Sequence, residues 1–137
     1  MEITINYLAV FAAGIASMVI GGLWYGPLFG KIWVALSGLT SEKLNEQKAK
    51  GVGKMYAINF AASLIMMYVL AHFVAVWKPE GIAGAAQLAF WVWLGFVAPV
   101  MIGSVLWEGK SWKLYLINIA YQLINLFVAA VILVMWR

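Results

Sequence analysis

Long apolar stretches alternate with short polar segments along the chain, and this alternation predicts the fold. A membrane core about 30 Å thick needs about 20 apolar residues in a helix, and backbone groups in lipid must be hydrogen-bonded within the protein. Four stretches meet this requirement: residues 5–24, 55–77, 82–106 and 114–136. The pattern predicts an all-α fold, an integral membrane four-helix bundle that forms a single transmembrane domain over residues 1–137.

The first stretch lies near the amino terminus, where a secretory signal would also lie. Met1 and Glu2 precede it without a basic residue, and it is long enough to span a bilayer. We therefore expect it to be retained.

The connection over residues 26–54 is the one long polar segment. Pro27 lacks a backbone donor, so the first helix should kink after it. Apolar residues then recur at three- and four-residue steps, at Phe29, Ile32, Trp33 and Leu36. This spacing predicts that the kinked first helix extends along the cytoplasmic interface.

A short polar helix is expected in the second half of this connection. Thr40 is a suitable N-cap for a helix from about Ser41 to Lys50. Gly51 or Gly53 can end it, because glycine readily adopts the left-handed conformation that follows a helix.

Four residues inside the apolar stretches interrupt their uniform character. Trp91 and Trp93 lie well inside the third span, where packing is the expected role and ligand stacking the alternative. His72 lies toward the outer end of the second span, and we expect it to be neutral and hydrogen-bonded. Pro99 should kink the third helix.

Positive residues are distributed unevenly between the two sides of the predicted bundle. Two connections, between spans one and two and between spans three and four, hold seven lysines: Lys31, Lys43, Lys48, Lys50, Lys54, Lys110 and Lys113. The opposite side holds Lys78 and Arg137. Lysine and arginine accumulate in cytoplasmic loops. We therefore expect both connections in the cytoplasm and both termini outside it.

Composition narrows the classes of function. Hydrophobic residues make up 66% of the chain and charged residues 10%, far from the average soluble composition. The net charge of +4 comes from lysines at segment ends rather than from a basic face, so we expect no nucleic-acid partner. The chain has no cysteine and one histidine, so we expect neither thiol chemistry nor a metal centre.

One face of the fourth span is polar. At about 100° per residue its polar side chains fall within an arc of about 80°, and they are Tyr115, Asn118, Gln122 and Asn125, with Tyr121 beside them. Asn59 and Ser63 share a face of the second span. These seven residues form the candidate polar lining of a site.

Two interpretations of these faces remain open. The side chains can hydrogen-bond across helices, each bond contributing about 0.6 kcal/mol on average in membranes. They can instead line a pocket or a narrow path, because amides both donate and accept hydrogen bonds. On the first span, Ala9, Ala13, Ser17 and Gly21 form a stripe of small residues, which permits close approach of a neighbouring helix.

Two motifs resemble those of a known family. They are Leu23-Trp24-Tyr25-Gly26-Pro27-Leu28-Phe29-Gly30-Lys31 and Leu106-Trp107-Glu108-Gly109-Lys110-Ser111-Trp112-Lys113-Leu114-Tyr115-Leu116-Ile117-Asn118. Over nearly its whole length the chain resembles the bacterial membrane family catalogued as domain of unknown function 1761. The resemblance implies a four-helix protein of the bacterial inner membrane without an assigned activity. Its motif positions are Trp24, Tyr25, Pro27, Trp107, Glu108 and Lys113.

Taken together, these features favour a non-enzymatic multi-pass membrane protein. We expect it to self-associate as a homo-oligomer and to bind a lipid or another hydrophobic ligand between its helices, with membrane lipids as partners and no cofactor. No Ser-His-Asp, metal-ligand or phosphate-loop pattern occurs in the sequence. The alternative function is a small-molecule transporter or channel subunit.

The lysine distribution makes a testable prediction about topology. An alkaline phosphatase reporter fused after Arg137 should be active, and a fusion in the Ser41 to Lys50 segment inactive, because this reporter works only outside the cytoplasm. Green fluorescent protein fusions at the same positions should give the opposite pattern. A fluorescent fusion after Arg137 would contradict the orientation.

Overall fold

The computed structural model describes residues 3–38 and 40–137. In this part of the chain the secondary structure is helical: α1 (Tyr7–Leu23), a π-helical segment (Trp24–Leu28), α2 (Gly30–Ser37), α3 (Ser41–Ala49), α4 (Val52–Trp77), α5 (Gly81–Phe96), α6 (Ala98–Met101), α7 (Gly103–Leu106) and α8 (Trp112–Met135).

Four helical segments are long and apolar enough to cross a membrane: Tyr7–Leu28, Val52–Trp77, Gly81–Leu106 and Trp112–Met135. Each corresponds to one predicted span, with ends that differ by a few residues. The prediction of an all-α, integral membrane four-helix bundle is confirmed, and the chain is a multi-pass membrane protein.

The first span ends in a π-helical segment that contains Pro27. Proline has no N–H to continue the α-helical ladder, and the Phe29 N–H instead bonds to the Trp24 carbonyl, 2.8 Å away and five residues back. A Cβ on Gly30 would lie 2.6 Å from the Tyr25 carbonyl oxygen, so only glycine fits where α2 begins. The predicted kink is present, and α2 resumes beyond Phe29.

The third span is broken at Val97, two residues before Pro99. Val97 has φ −119° and ψ −61°, and the Tyr115 hydroxyl donates to the neighbouring Ala98 carbonyl at 2.6 Å. Irregular backbone at membrane depth requires protein partners of this kind. The kink predicted from Pro99 is therefore present and is held by a side chain of α8.

Helix α8 is the most buried of the four spans. It packs against α5 on one side and α1 on the other, and α4 packs mainly against α1 and less extensively against α8. Trp93 of α5 donates its indole N–H to the Ile119 carbonyl at 2.7 Å, whereas Trp91, two residues earlier, is 59% exposed. Packing is therefore the role of Trp93, and Trp91 faces outward.

Different hydrogen bonds connect the chain segments at the two ends of the bundle. At the termini end, Asn6 donates to the Trp136 carbonyl at 2.9 Å and Arg137 donates to the Pro79 carbonyl at 2.8 Å. At the loop end, which carries α2 and α3, Lys110 donates to the Ser37 carbonyl at 3.2 Å.

Two further predictions about local hydrogen bonds are confirmed. The Thr40 hydroxyl accepts from the Lys43 N–H at 3.2 Å and caps α3, and Gly51 follows that helix with φ +104°. His72 Nδ1 lies 2.9 Å from the Tyr68 carbonyl, so the imidazole is hydrogen-bonded to its own helix.

The stripe of small residues on α1 packs within the chain. Ala9 and Ala13 are completely buried and Ser17 nearly so. Gly14, beside the stripe, contacts α4 so closely that a Cβ there would lie 2.7 Å from Leu64 Cδ2. By contrast, a Cβ on Gly22 of the same helix would meet no atom within 4 Å.

This difference predicts unequal effects of one substitution at two glycines. Gly14→Val should lower the free energy of unfolding by about 1–3 kcal/mol through overpacking, and Gly22→Val by no more than about 0.5 kcal/mol. Thermal unfolding in one detergent compares the two variants. Equal losses would show that Gly14 does not set the α1–α4 distance.

Candidate functional site

A polar cavity of about 530 Å³ lies between α1, α4 and α8, toward the loop end of the bundle. This volume is typical of small-molecule sites. Its lining consists of Ser17, Met18, Gly21, Gly22, Tyr25, Gly26, Tyr56, Asn59, Ala62, Ser63, Met66, Tyr121, Gln122 and Asn125. None of these lining residues is charged.

Helix α8 supplies two amide groups to the cavity. Asn125 is 3% exposed, and its Oδ1 atom has no hydrogen-bond partner among the described residues. The Oε1 atom of Gln122 is also buried and also without a partner there. A buried acceptor without a donor costs about 1–3 kcal/mol, so a rotation that turned either side-chain oxygen toward a hydrogen-bond donor of a ligand in the cavity would be stabilising.

Helix α1 approaches α8 closely on one side of the cavity. The Tyr121 hydroxyl donates to the Ser17 carbonyl at 3.3 Å, and a Cβ on Gly21 would lie 3.1 Å from that hydroxyl oxygen. The Ser17 hydroxyl also donates to the Ser63 hydroxyl at 3.5 Å. The small residues of α1 therefore let polar groups of three helices meet.

Two adjacent aromatic residues of the π-helical segment attach it to α8. The Tyr25 hydroxyl donates to Asn118 Oδ1 at 2.7 Å, and the Trp24 indole donates to the Ile117 carbonyl at 3.1 Å. The Tyr25 ring also meets the Tyr121 ring edge to face, with centroids 5.2 Å apart. These contacts fix the loop-end wall of the cavity.

The α4 side of the cavity is the open side. Tyr56 and Asn59 are both exposed, and the Asn59 amide makes a contact of 3.5 Å with the Met18 sulfur. Helix α4 packs most tightly farther along, where Met67 and Leu70 are buried. The first half of α4 is thus a loosely covered wall.

Five of the seven residues predicted to line a site do line the cavity: Asn59, Ser63, Tyr121, Gln122 and Asn125. Tyr115 and Asn118 do not. Tyr115 points to the break in the third span, and Asn118 is occupied by Tyr25. These residues do lie on one face of α8, as predicted. The helix that packs against this face changes along the axis of α8, so residues at different positions contact different partners.

The motif residues separate into two groups. Trp24 and Tyr25 make the contacts with α8 described above, and Pro27 lies in the π-helical segment. The others lie near the connection to α8, where Trp107 is 88% exposed and Glu108 and Lys113 are exposed as well. The first motif therefore builds the cavity wall, whereas the second presents side chains at the loop end.

Several lining residues were missed by the polar-face argument. Ser17 and Gly21 belonged to the small-residue stripe, and Tyr25 to the first motif, so the sequence marked them for other reasons. Met18 and Met66 carried no polar signal. The polar periodicity of a helix therefore does not identify the methionine, tyrosine and glycine residues that line part of the cavity.

A family model described as a protein of unknown function, DUF1761, matches residues 8–134. The chain belongs to the DUF1761 family. This match covers nearly the whole sequence and confirms the resemblance inferred from the two motifs. No curated protein and no solved structure matches this DUF1761 chain significantly.

Proposed function

We propose that this chain is a non-enzymatic membrane protein that binds an uncharged amphipathic ligand in the cavity between α1, α4 and α8. One observation carries the proposal: Gln122 Oε1 and Asn125 Oδ1 are buried beside the cavity without hydrogen-bond donors among the described residues. A ligand with hydroxyl groups would supply those donors. A hydroxyl both donates and accepts, so it suits an amide in either orientation.

The character of the lining favours a neutral ligand over a charged one. The side chains are amides, hydroxyls, aromatic rings and thioethers, and no lining residue carries a counter-charge. Removing an ion from water costs several kcal/mol unless a partner offsets it. A cation on a tyrosine ring would recover only about 2 kcal/mol. We therefore assign a neutral, hydrogen-bonding head to the ligand.

Self-association is part of the proposal and rests on the first half of α4. Met55, Tyr56, Ile58 and Asn59 are all exposed there. The Asn59 amide has a weak contact with the Met18 sulfur of α1 at 3.5 Å, and a second copy of the chain would cover the exposed apolar residues around it and could supply a stronger partner. Native mass spectrometry from nanodiscs reports the subunit number, and a strict monomer would contradict this part.

The proposed site predicts that binding and stability respond differently to changes on α8. Gln122→Leu with Asn125→Leu should reduce lipid retention at least about tenfold and leave stability equal or higher, because two unpaired acceptors are removed. Native mass spectrometry from nanodiscs of phosphatidylethanolamine, phosphatidylglycerol and dioleoylglycerol measures the retained lipid.

Gln87→Leu is the matched control for this experiment. Gln87 is an exposed amide of α5, and it is absent from the lining of the cavity. The control should change the free energy of unfolding by no more than about 0.5 kcal/mol and keep the bound lipid. If the control and the double variant lost lipid equally, the cavity would not be the binding site.

A transporter or channel subunit is the second candidate, and a second cavity favours it. This cavity, of about 500 Å³, lies at the termini end between the same three helices. Between the two cavities, the helices are packed by buried apolar residues that include Ala13, Met67, Leu126 and Ala130. Cavities at both ends of the bundle with an apolar layer between them would let a solute cross if the packing of that layer shifted.

The transport candidate predicts passage of a small uncharged polyol. Proteoliposomes should show faster glycerol entry than protein-free liposomes in stopped-flow light scattering. Met67→Trp, which enlarges the apolar layer, should slow entry while Ile65→Trp on the exposed face should not. Rates equal to those of protein-free liposomes under every gradient would remove this candidate.

A further inference from the structure

An apolar groove adjoins the polar cavity. It measures about 400 Å³ and is lined by Met66, Val69, Leu70, Phe73, Val92, Phe96 and Leu126, all of them apolar. Met66 of α4 also lines the polar cavity. On α8, Asn125 faces the cavity and the next residue, Leu126, faces the groove. The two compartments therefore lie on either side of the α4–α8 contact with Met66 as a common wall, and a molecule that occupies both must displace this flexible side chain.

We propose that the ligand is a neutral glycerol lipid, with its hydroxylated head in the polar cavity and an acyl chain in this groove. The inference rests on the proposed function and names the ligand class. The head fits because a glycerol group carries hydroxyl donors for Gln122 and Asn125, the two amides with unpaired oxygens. The chain fits because the groove offers no polar group.

The positions of the two compartments match the shape of such a lipid. The cavity reaches toward the loop end as far as Tyr56 of α4, whereas the groove extends along α4 to Phe73, toward the termini end. A lipid seated in this way would have its head in the leaflet at the loop end and its chain directed to the bilayer centre. Surrounding lipid is as apolar as the groove, so the chain contributes packing and placement rather than a hydrophobic driving force.

A charged phospholipid is a poorer occupant than a neutral one. A phosphate in the polar cavity would face rings, amides and hydroxyls without a lysine or arginine among the lining residues. The cationic residues Lys78 and Arg137 line the other cavity, at the termini end. The lining of the termini-end cavity thus includes two cations, whereas the lining of the loop-end cavity includes none, and this difference favours an uncharged head in the loop-end cavity.

Four probes separate the contributions of head and chain. They are 1-monooleoylglycerol, glycerol alone, methyl oleate, which lacks hydroxyl donors, and 1-oleoyl lysophosphatidate, which has the same chain and a charged head. Native mass spectrometry of the protein in nanodiscs should show 1-monooleoylglycerol bound at least about tenfold more tightly than each of the others. Equal binding of methyl oleate or lysophosphatidate would overturn the assignment of a neutral hydroxylated head.

Two tryptophan variants of α4 test the groove separately from the cavity. Val69 lines the groove, and Ile65, one turn earlier on the same helix, does not; both are exposed, so both variants should fold. Val69→Trp should weaken 1-monooleoylglycerol binding about tenfold and leave glycerol binding unchanged, whereas Ile65→Trp should change neither. Thermal unfolding of both variants confirms that the fold is intact.

The outcomes distinguish failure of this inference from failure of the proposed function. If Val69→Trp and Ile65→Trp bound 1-monooleoylglycerol equally while Gln122→Leu lost it, the groove assignment would be wrong and the polar site would stand. If Gln122→Leu retained 1-monooleoylglycerol fully, the proposed site and the lipid assignment would both fail. Glycerol binding as tight as that of 1-monooleoylglycerol would identify a free polyol as the ligand and overturn the lipid assignment.

Discussion

The arrangement of the other spans depends on hydrogen bonds from aromatic side chains to α8. Trp24 donates to the Ile117 carbonyl from one side, and Trp93 donates to the Ile119 carbonyl from the other. In lipid no hydrophobic force brings helices together, so directional bonds and close packing decide which helices meet. Indole groups suit this role because a large apolar ring carries one N–H donor. Helix α8 thereby becomes the common partner of the first and third spans, and the first half of α4 remains largely exposed.

The polar cavity is a consequence of that arrangement. With α1 and α5 fixed to α8, the first half of α4 has little cover, and Asn59 and Tyr56 are exposed there. The cavity therefore has one rigid wall, built from α8 and the π-helical segment, and one loosely packed wall. Ligand-binding regions are commonly drawn from the less stable parts of a structure. Gln122 and Asn125 belong to the rigid wall and keep a fixed position, whereas α4, the loosely packed wall, can adjust to a ligand.

The sequence predicted the number, type and approximate ends of the spans, because membrane thickness sets a length that the apolar pattern must meet. It also predicted both proline kinks. The polar arc on α8 correctly included Gln122 and Asn125, yet placed Tyr115 with them. An arc gives the direction of a side chain but not the helix it faces, and the break at Val97 brings the Ala98 carbonyl within reach of that tyrosine. Met66 continues the face of Asn59 and Ser63 on the second span, whereas Met18 carried no polar signal, since a thioether resembles the apolar background.

The exposed first half of α4 also determines how a ligand could arrive. In a protomer whose α4 is not covered by a second copy, a molecule that reaches the cavity past Tyr56 and Asn59 comes sideways from the surrounding leaflet and never has to cross the polar segment that carries α2 and α3. Its relevant concentration is then its mole fraction among membrane lipids, and its concentration in water is immaterial. A site of this kind can remain filled with only modest intrinsic affinity, and its occupancy would follow the lipid composition of the leaflet. The protein would in that sense report on the membrane in which it is embedded.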